Sequence, residues 1–333
     1  MPEMNATTAP PNEERHNLLV RVASMYYEDG MTQHEISTRL GYSRSAISRL
    51  LTEAHQAGIV EIRVHHPLRR DAQTEHRLAE RYNLREVRVL VATAVPYSKM
   101  LRRLGEQAAR LVEQYVNPES VLGVSWGTSV YEVAHALRPP HYPGVTVLQL
   151  IGALGTPDPQ IDGPELARWF SHLYGARYLS LPAPLIVDNP AVRDALMSDR
   201  HVREVLRRAR DVDVAVVGIG TVEDPAMSSL VRAGYLSGEE IVQVAEQGAV
   251  GDVCAIHFDI HGSVLDIPLA RRVVGVQPDV LQAIPLVLGV AGGMPKAAAI
   301  LGALRSGLIN ALVTDSETAR RVLDLADETS AEA

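Results

Sequence analysis

A chain of 333 residues is long enough for two domains of ordinary size. Its 46% apolar and 22% charged content excludes a mainly disordered or fibrous chain, and a single cysteine, Cys254, excludes an internal disulfide and a multi-cysteine zinc site. No stretch approaches the ~20 apolar residues that span a bilayer. The first thirty residues hold no run of signal-peptide type, so a cytoplasmic location is expected.

The net charge of −8 is unevenly spread. Residues 32–70 carry six Arg, three acids and four His, and the whole negative excess lies in residues 71–333. Local charge decides whether a surface meets phosphates, so the acidic total does not exclude nucleic acid. Of 32 cations only Lys99 and Lys296 are lysine. Aromatic residues are few against much Ala, Val and Leu, which predicts the aliphatic core of a parallel α/β sheet.

In chain order, residues 1–12 read as a disordered tail. Leu18, Leu19, Val22, Ala23 and Tyr26 fall at helical spacing in a first helix. Thr32 and Glu35 fit a capping box for a short helix carrying Ile36 and Leu40, which stops at Gly41. Ser43 caps a third helix with Ile47, Leu50, Leu51 and Ala54 on one face. The alternating segment 59–64 reads as a strand. Two short helices joined by a glycine-containing turn and followed by a strand predict a winged helix-turn-helix over 13–66. The second helix of such a pair enters the major groove of double-stranded DNA. This points to Tyr42, Ser43, Arg44, Ser45, Ser48 and Arg49 as the contacting residues, Ser43 with capping as its first role. His65, His66, Arg69 and Arg70 follow as backbone contacts or linker charge. Residues 67–85 form a connector or dimerisation helix. A homo-oligomer is expected, because one helix-turn-helix reads too few base pairs.

From residue 86 to 333 strand-like runs alternate with helical stretches. Strands are expected at 87–91, 121–124, 145–150, 178–181, 212–218, 253–258, 286–290 and 311–313. Helices are expected at 98–116, 128–138, 164–174, 190–210, 238–247, 293–306 and 315–326. That alternation predicts a Rossmann-like, mostly parallel sheet, in which ligands sit at the carboxyl ends of strands. Ser125, Trp126, Gly127, Thr128 and Ser129 follow a strand and open a helix, a ready anion site. No Walker lysine and no G-x-G-x-x-G accompany them, so no nucleotide cofactor is signalled. The same stretch contains G-x-S-x-G, the pattern of a serine hydrolase elbow with Ser125 as nucleophile. Such short matches arise easily by chance, and Thr128 and Ser129 suit a phosphate cradle better. Gly152, Gly218 and Gly220 lie at further strand ends, where a ligand can approach backbone or a tight turn can form. Lys296 follows Pro295 in the first turn of a helix, where a cation opposes the dipole and suggests an anionic partner. His257, Asp259 and His261 would share one face of a strand. A metal trio there lacks further ligands, and one of the nearby acids is better read as a polyol acceptor.

Together, T-Q-H-E-I-S-T-R-L-G-Y-S-R-S-A-I-S-R-L-L, G-V-S-W-G-T-S, G-A-V-G-D, F-D-I-H-G, A-G-G-M-P-K-A-A-A-I-L-G-A-L and L-V-T-D-S-E-T-A resemble the SorC/DeoR-type sugar-binding transcriptional regulators from about residue 15 to 326. The resemblance implies a dimeric or tetrameric repressor or activator of carbohydrate metabolism. Its larger domain would resemble sugar-phosphate isomerases and deaminases without their catalysis. Its effector would be a phosphorylated sugar or polyol, with phosphate at Ser125–Ser129 and near Lys296 and hydroxyl contacts at Gly152, Gly218, Gly220 and Asp252, Asp259 being a weaker candidate. Some members carry a Schiff-base lysine where this chain has Ile151, which speaks against covalent capture of an aldose. The alternative is a sugar-phosphate isomerase-like enzyme or a serine hydrolase.

Overall fold

The computed structural model describes residues 11–60, 68–91, 95–155, 159–224, 226 and 228–331. The chain forms two compact units, Met1–Pro67 and Leu68–Ala333.

Among its described residues the smaller unit holds three helices, α1 (Pro11–Tyr27), α2 (Gln33–Leu40) and α3 (Arg44–Gln56). Its core is the predicted one: Leu19, Val22, Ala23, Ile36, Ile47, Leu50, Leu51 and Ala54 are buried together, with Met25 added. The Thr32–Glu35 capping box is present, and Gly41 closes α2 at φ 72°. Arg15 bridges α1 to α3 through two hydrogen bonds to Glu53, of 3.0 and 2.5 Å. Helix α1 begins at Pro11, so the last two residues of the expected tail are helical. The rest of that tail, His65, His66 and most of the expected wing strand lie outside the described residues.

The larger unit begins with α4 (Ala72–Tyr82) and β1 (Glu86–Leu90). The helix expected to stand between domains is built into this unit. Leu78 is fully buried, and the Glu75 carboxylate accepts from Val89 N at 2.8 Å while pairing with Arg70. There follow α5 (Tyr97–Tyr115), β2 (Val121–Val124), α6 (Thr128–Ala136), β3 (Thr146–Gln149), α7 (Gly163–Tyr174), β4 (Arg177–Leu179), α8 (Pro190–Ser198) and α9 (Arg200–Arg208). The chain continues through β5 (Val214–Gly218), β6 (Gly220–Thr221), α10 (Ser229–Arg232), α11 (Gly238–Glu246), β7 (Gly251–Val253), β8 (Ile256–Phe258), α12 (Pro278–Ala283), β9 (Leu286–Val290), α13 (Ala297–Ser306), β10 (Ala311–Asp315) and α14 (Ser316–Ala331).

Seven strands form a parallel sheet in the order β1-β10-β9-β5-β2-β3-β4. Its central strands are buried on both faces. Val214 and Val216 of β5 point into one core with α5, α6 and α7, while Ala215 and Val217 point into the other with α13 and α14. That double burial is why these runs are continuously aliphatic rather than alternating. The strand order reverses between β2 and β5, which places the sheet's switch point there.

Two expectations need correction. The run 253–258 is no strand of the parallel sheet: it folds back through the turn Cys254–Ala255 and, with β6 and β7, makes a separate antiparallel three-stranded sheet. The helix expected over 190–210 is broken at Asp199, whose carboxylate caps α9 by accepting from His201 N and Val202 N. Among the described residues, no helix is long and apolar enough to cross a membrane.

Candidate functional site

At the switch point, the carboxyl ends of β2 and β5 open onto a narrow cleft. Ser125, Trp126, Gly127, Thr128 and Ser129 line it from the β2–α6 loop and the first turn of α6, Gly218 from the end of β5, Gly220 from β6, Asp252 from β7, and Lys296 from the start of α13. Sequence reasoning thus named nine residues, scattered over some 170 positions, that the fold gathers in one place. It did not name Ile219, Leu230 and Cys254, which also line the cleft.

Helix α6 aims its amino terminus at the cleft. Its cap is Gly127 at φ 107°, and no side chain caps its amides. Uncapped amides at the positive end of a helix are suited to an anion. Gly127 N donates to Ile161 O at 3.0 Å, which pins the loop. Ser129 is buried and Thr128 half-buried. Ser125 is buried, and its Oγ accepts from Gly218 N at 3.4 Å. Its φ is not positive, so it does not sit on the strained turn that exposes a hydrolase nucleophile. Nor does the described lining of the cleft include an imidazole to serve as its base.

Lys296 approaches from the opposite side. Residues Met294–Lys296 form one 3-10 turn before α13, so Lys296 stands at that helix's cap, and its Nζ donates to Ile219 O. Burial pulls its pKa down to about 8; the Asp252 carboxylate opposes this and the Arg232 charge adds to it. The loop is held from behind. Gly293 N donates to Asp315 Oδ2 and Thr318 Oγ1, both at 2.8 Å, and Thr221 Oγ1 donates to Pro295 O at 3.0 Å. A Cβ on Gly292 would lie 2.6 Å from Asp315 Oδ2. The sequence reading quoted the motif around Asp315 without a role; the role is to position the lysine loop.

Asp252 is buried, and its Oδ2 accepts from Ala255 N at 3.0 Å. A Cβ on Gly220 would fall 1.9 Å from Asp252 Oδ1, so the glycine makes room for the carboxylate.

Two expected residues lie elsewhere. Gly152 is not among the cleft residues: beyond β3 its amide donates to Val274 O, and a Cβ there would meet the Pro184 carbonyl carbon at 2.4 Å. Its glycine serves close backbone packing. Asp259 lies past the end of β8 in a turn, its Oδ1 accepting from His261 N and Ser263 N. The strand that would have aligned His257, Asp259 and His261 therefore does not form. Among the described residues no group of side chains is arranged to hold a metal ion.

In the smaller unit Tyr42, Ser43, Arg44, Ser45, Ser48 and Arg49 are all exposed, on or just before α3 and opposite its buried face. Ser43 Oγ caps α3 by accepting from Ala46 N at 3.2 Å and contacts Ser45 Oγ at 3.0 Å. Ser37 Oγ donates to Tyr42 O at 2.6 Å and fixes the turn. Arg44 and Arg49 have no carboxylate partner among the described residues, whereas Arg15 in the same unit is paired with Glu53.

Comparison with known proteins agrees with both units. The model of a sugar-binding domain family matches residues 66–324, and that of the MarR family matches residues 22–70. The chain is 37% identical to the transcriptional regulator LsrR of Enterobacter sp. (strain 638), over 93% of each chain. It is 31% identical to the deoxyribonucleoside regulator of Bacillus subtilis (strain 168), over 94% of this chain and 99% of that one. The crystal structure of the full-length sorbitol operon regulator SorC from Klebsiella pneumoniae superposes with a TM-score of 0.72 at 28% identity, covering 95% of this chain and 100% of that chain. With a helix-turn-helix unit ahead of a sugar-binding domain that spans most of its length, the chain belongs to the SorC/DeoR-type family of sugar-binding transcriptional regulators.

Proposed function

We propose that this regulator acts in the cytoplasm as a homo-oligomer on double-stranded operator DNA, without turnover, and that its effector is a phosphorylated sugar or polyol held in the switch-point cleft. One observation carries the reading: uncapped α6 amides, three hydroxyl side chains and Lys296 converge on one cleft that also presents the Asp252 carboxylate. An amide cradle with a cation takes a phosphate. A buried carboxylate beside it accepts from hydroxyls, as a sugar requires. Tyr42, Ser45, Ser48, Arg44 and Arg49 meet the major groove, with Ser43 as cap. Gly152 and Asp259 act outside the effector contacts.

The effector changes DNA affinity only through its different affinity for DNA-competent and incompetent arrangements of the oligomer. Phosphate between the α6 terminus and the Lys296 loop couples elements on either side of the switch point, and oligomer packing transmits the change to the spacing of the recognition helices. The test is binding to the promoter region beside its own gene, at stated salt, titrated with sugar and polyol phosphates. One phosphate changing affinity while its dephosphorylated form does not supports the reading. Operator binding that no phosphate alters overturns the effector class. Absence of specific DNA binding overturns the regulator mechanism, and Ser125→Ala then tests the hydrolase alternative through loss of turnover.

A further inference from the structure

One carboxylate outside the cleft ties together chain that supports two of its walls. Asp162 caps α7, its Oδ1 accepting from Gly163 N at 2.7 Å. The same buried carboxylate reaches back to the end of β3: Oδ1 accepts from Leu154 N and Oδ2 from Gly155 N, both at 2.9 Å. Asp199, by contrast, serves only its own helix, accepting from His201 N and Val202 N. A plain cap needs only the local bond. The two longer ones close a neck between Leu154–Gly155 and Asp162–Gly163.

Each side of this neck meets a wall of the cleft. The 3-10 turn Pro159–Ile161 runs directly into Asp162, and Ile161 O accepts from Gly127 N at 3.0 Å. On the other side Ala153 O, next to Leu154, accepts from the Tyr235 hydroxyl at 3.1 Å. Tyr235 N in turn donates to Leu230 O at 3.0 Å, and Leu230 lines the cleft.

The bond to Gly127 decides which amides face the cleft. With Gly127 N given to Ile161 O, those left for an anion are Thr128, Ser129 and Val130, because the first helical bond runs from Tyr131 N to Gly127 O. An amide cradle is effective when its donors are aimed before the anion arrives. Gly127 does not supply that aim by packing. It sits at φ 107°, and nothing lies within 4 Å of where a Cβ would be. Glycine has the freest backbone of all residues, so its hydrogen bonds must set its orientation. Ile161 O makes one of those bonds, and Asp162 fixes Ile161.

We infer that Asp162 is a positioning residue of the effector site, which aims the α6 amides at the effector phosphate by closing the loop that carries Ile161. This rests on the proposed function in one respect, that an anion occupies the α6 terminus.

The test uses the full chain, with inorganic phosphate as the probe. Asn and Ser cap a helix about as well as Asp, so Asp162→Asn and Asp162→Ser keep α7 capped. Each offers one acceptor oxygen where the carboxylate has two, so the ties to Leu154 and Gly155 are not both kept. Hydrogen exchange at the Gly127 amide is expected to quicken at least about tenfold in both variants, while amides in the interior of α7 exchange as before. A purely structural role would instead quicken exchange throughout α7. Phosphate affinity by calorimetry is expected to fall about tenfold, and not to vanish, because Lys296 stays in the cleft. Should one variant fail to fold, the other carries the test. Unchanged exchange at Gly127 overturns the positioning role, and so does a loosened Gly127 with phosphate affinity unchanged. If the unaltered chain takes up no phosphate, the phosphate reading of the cleft falls. Exchange at Gly127 then still upholds or overturns the hold of Asp162 on that loop.

Discussion

The two units place their candidate functional residues in opposite ways. In the smaller one, Arg44 and Arg49 stand exposed on α3, and the buried face of that helix only holds them out. In the larger one, Ser125, Ser129 and Asp252 are less than a tenth exposed, and no single element makes the site. The difference follows from the partner. A duplex is larger than the domain and is read by a convex surface, whereas a small polar molecule is recognised by surrounding it. The first kind of site tolerates changes in neighbouring side chains; the second depends on backbone placed by distant parts of the chain.

The contrast is sharpest at Lys296. Replacing it with Met leaves Ile219 O without its charged partner and removes the cation from the cleft. A charge-assisted hydrogen bond contributes ~1.5–3 kcal/mol, so Lys296→Met is expected to weaken effector binding by about that much in calorimetry while operator affinity without effector is unchanged. Arg44→Ala and Arg49→Ala should do the reverse. Each should lose ~1–3 kcal/mol of operator affinity by fluorescence anisotropy and leave effector affinity intact. A loss in both assays from either set would break the division of labour.

Gly152→Ala separates packing from binding. Its Cβ would press on the Pro184 backbone, and overpacking of this kind costs ~1–3 kcal/mol. The larger unit should melt earlier in calorimetry, with effector affinity per folded molecule unchanged. Ser43→Ala should destabilise the smaller unit by ~1 kcal/mol through the lost cap, read by chemical denaturation. A further effect is one of pH. Lys296 titrates at about 8, so its charge is present below that pH and lost above it. Affinity for a phosphate should be level from pH 7 toward 8 and then fall by at most about tenfold per unit, and Lys296→Met should remove this decline.

Helix α3 was legible from the chain because everything that defines it is local. Thr32, Glu35, Gly41 and Ser43 are cap signals within twelve residues, and the apolar spacing of Ile47, Leu50, Leu51 and Ala54 fixes which face is left over. The cleft was legible only in pieces, as small residues at strand ends. That Gly218 and Gly220 belong with Ser125 while Gly152 does not depends on where the strand order reverses, and no local pattern records it. The hairpin at Cys254–Ala255 was missed for a related reason. It turns with two positive φ angles but without the Asn or Gly that normally announces such a turn. The shared face weighed for His257, Asp259 and His261 required a strand through residue 261, and the strand ends at Phe258.

The register of the sheet edge also bears on the order in which the molecule is made. Strand β1 pairs with β10, which leaves the ribosome more than two hundred residues later. The three helices of the smaller unit hold their core contacts within some forty residues and can close at once. By contrast β1 and the helix α4 packed on it have no sheet to join until the last strand emerges. Synthesis thus passes through an interval in which a folded DNA-reading unit is joined to an unfinished effector domain. A folded helix-turn-helix headpiece would stand without its effector domain for as long as β10 is missing, and a chain stopped before residue 311 would keep it in that state.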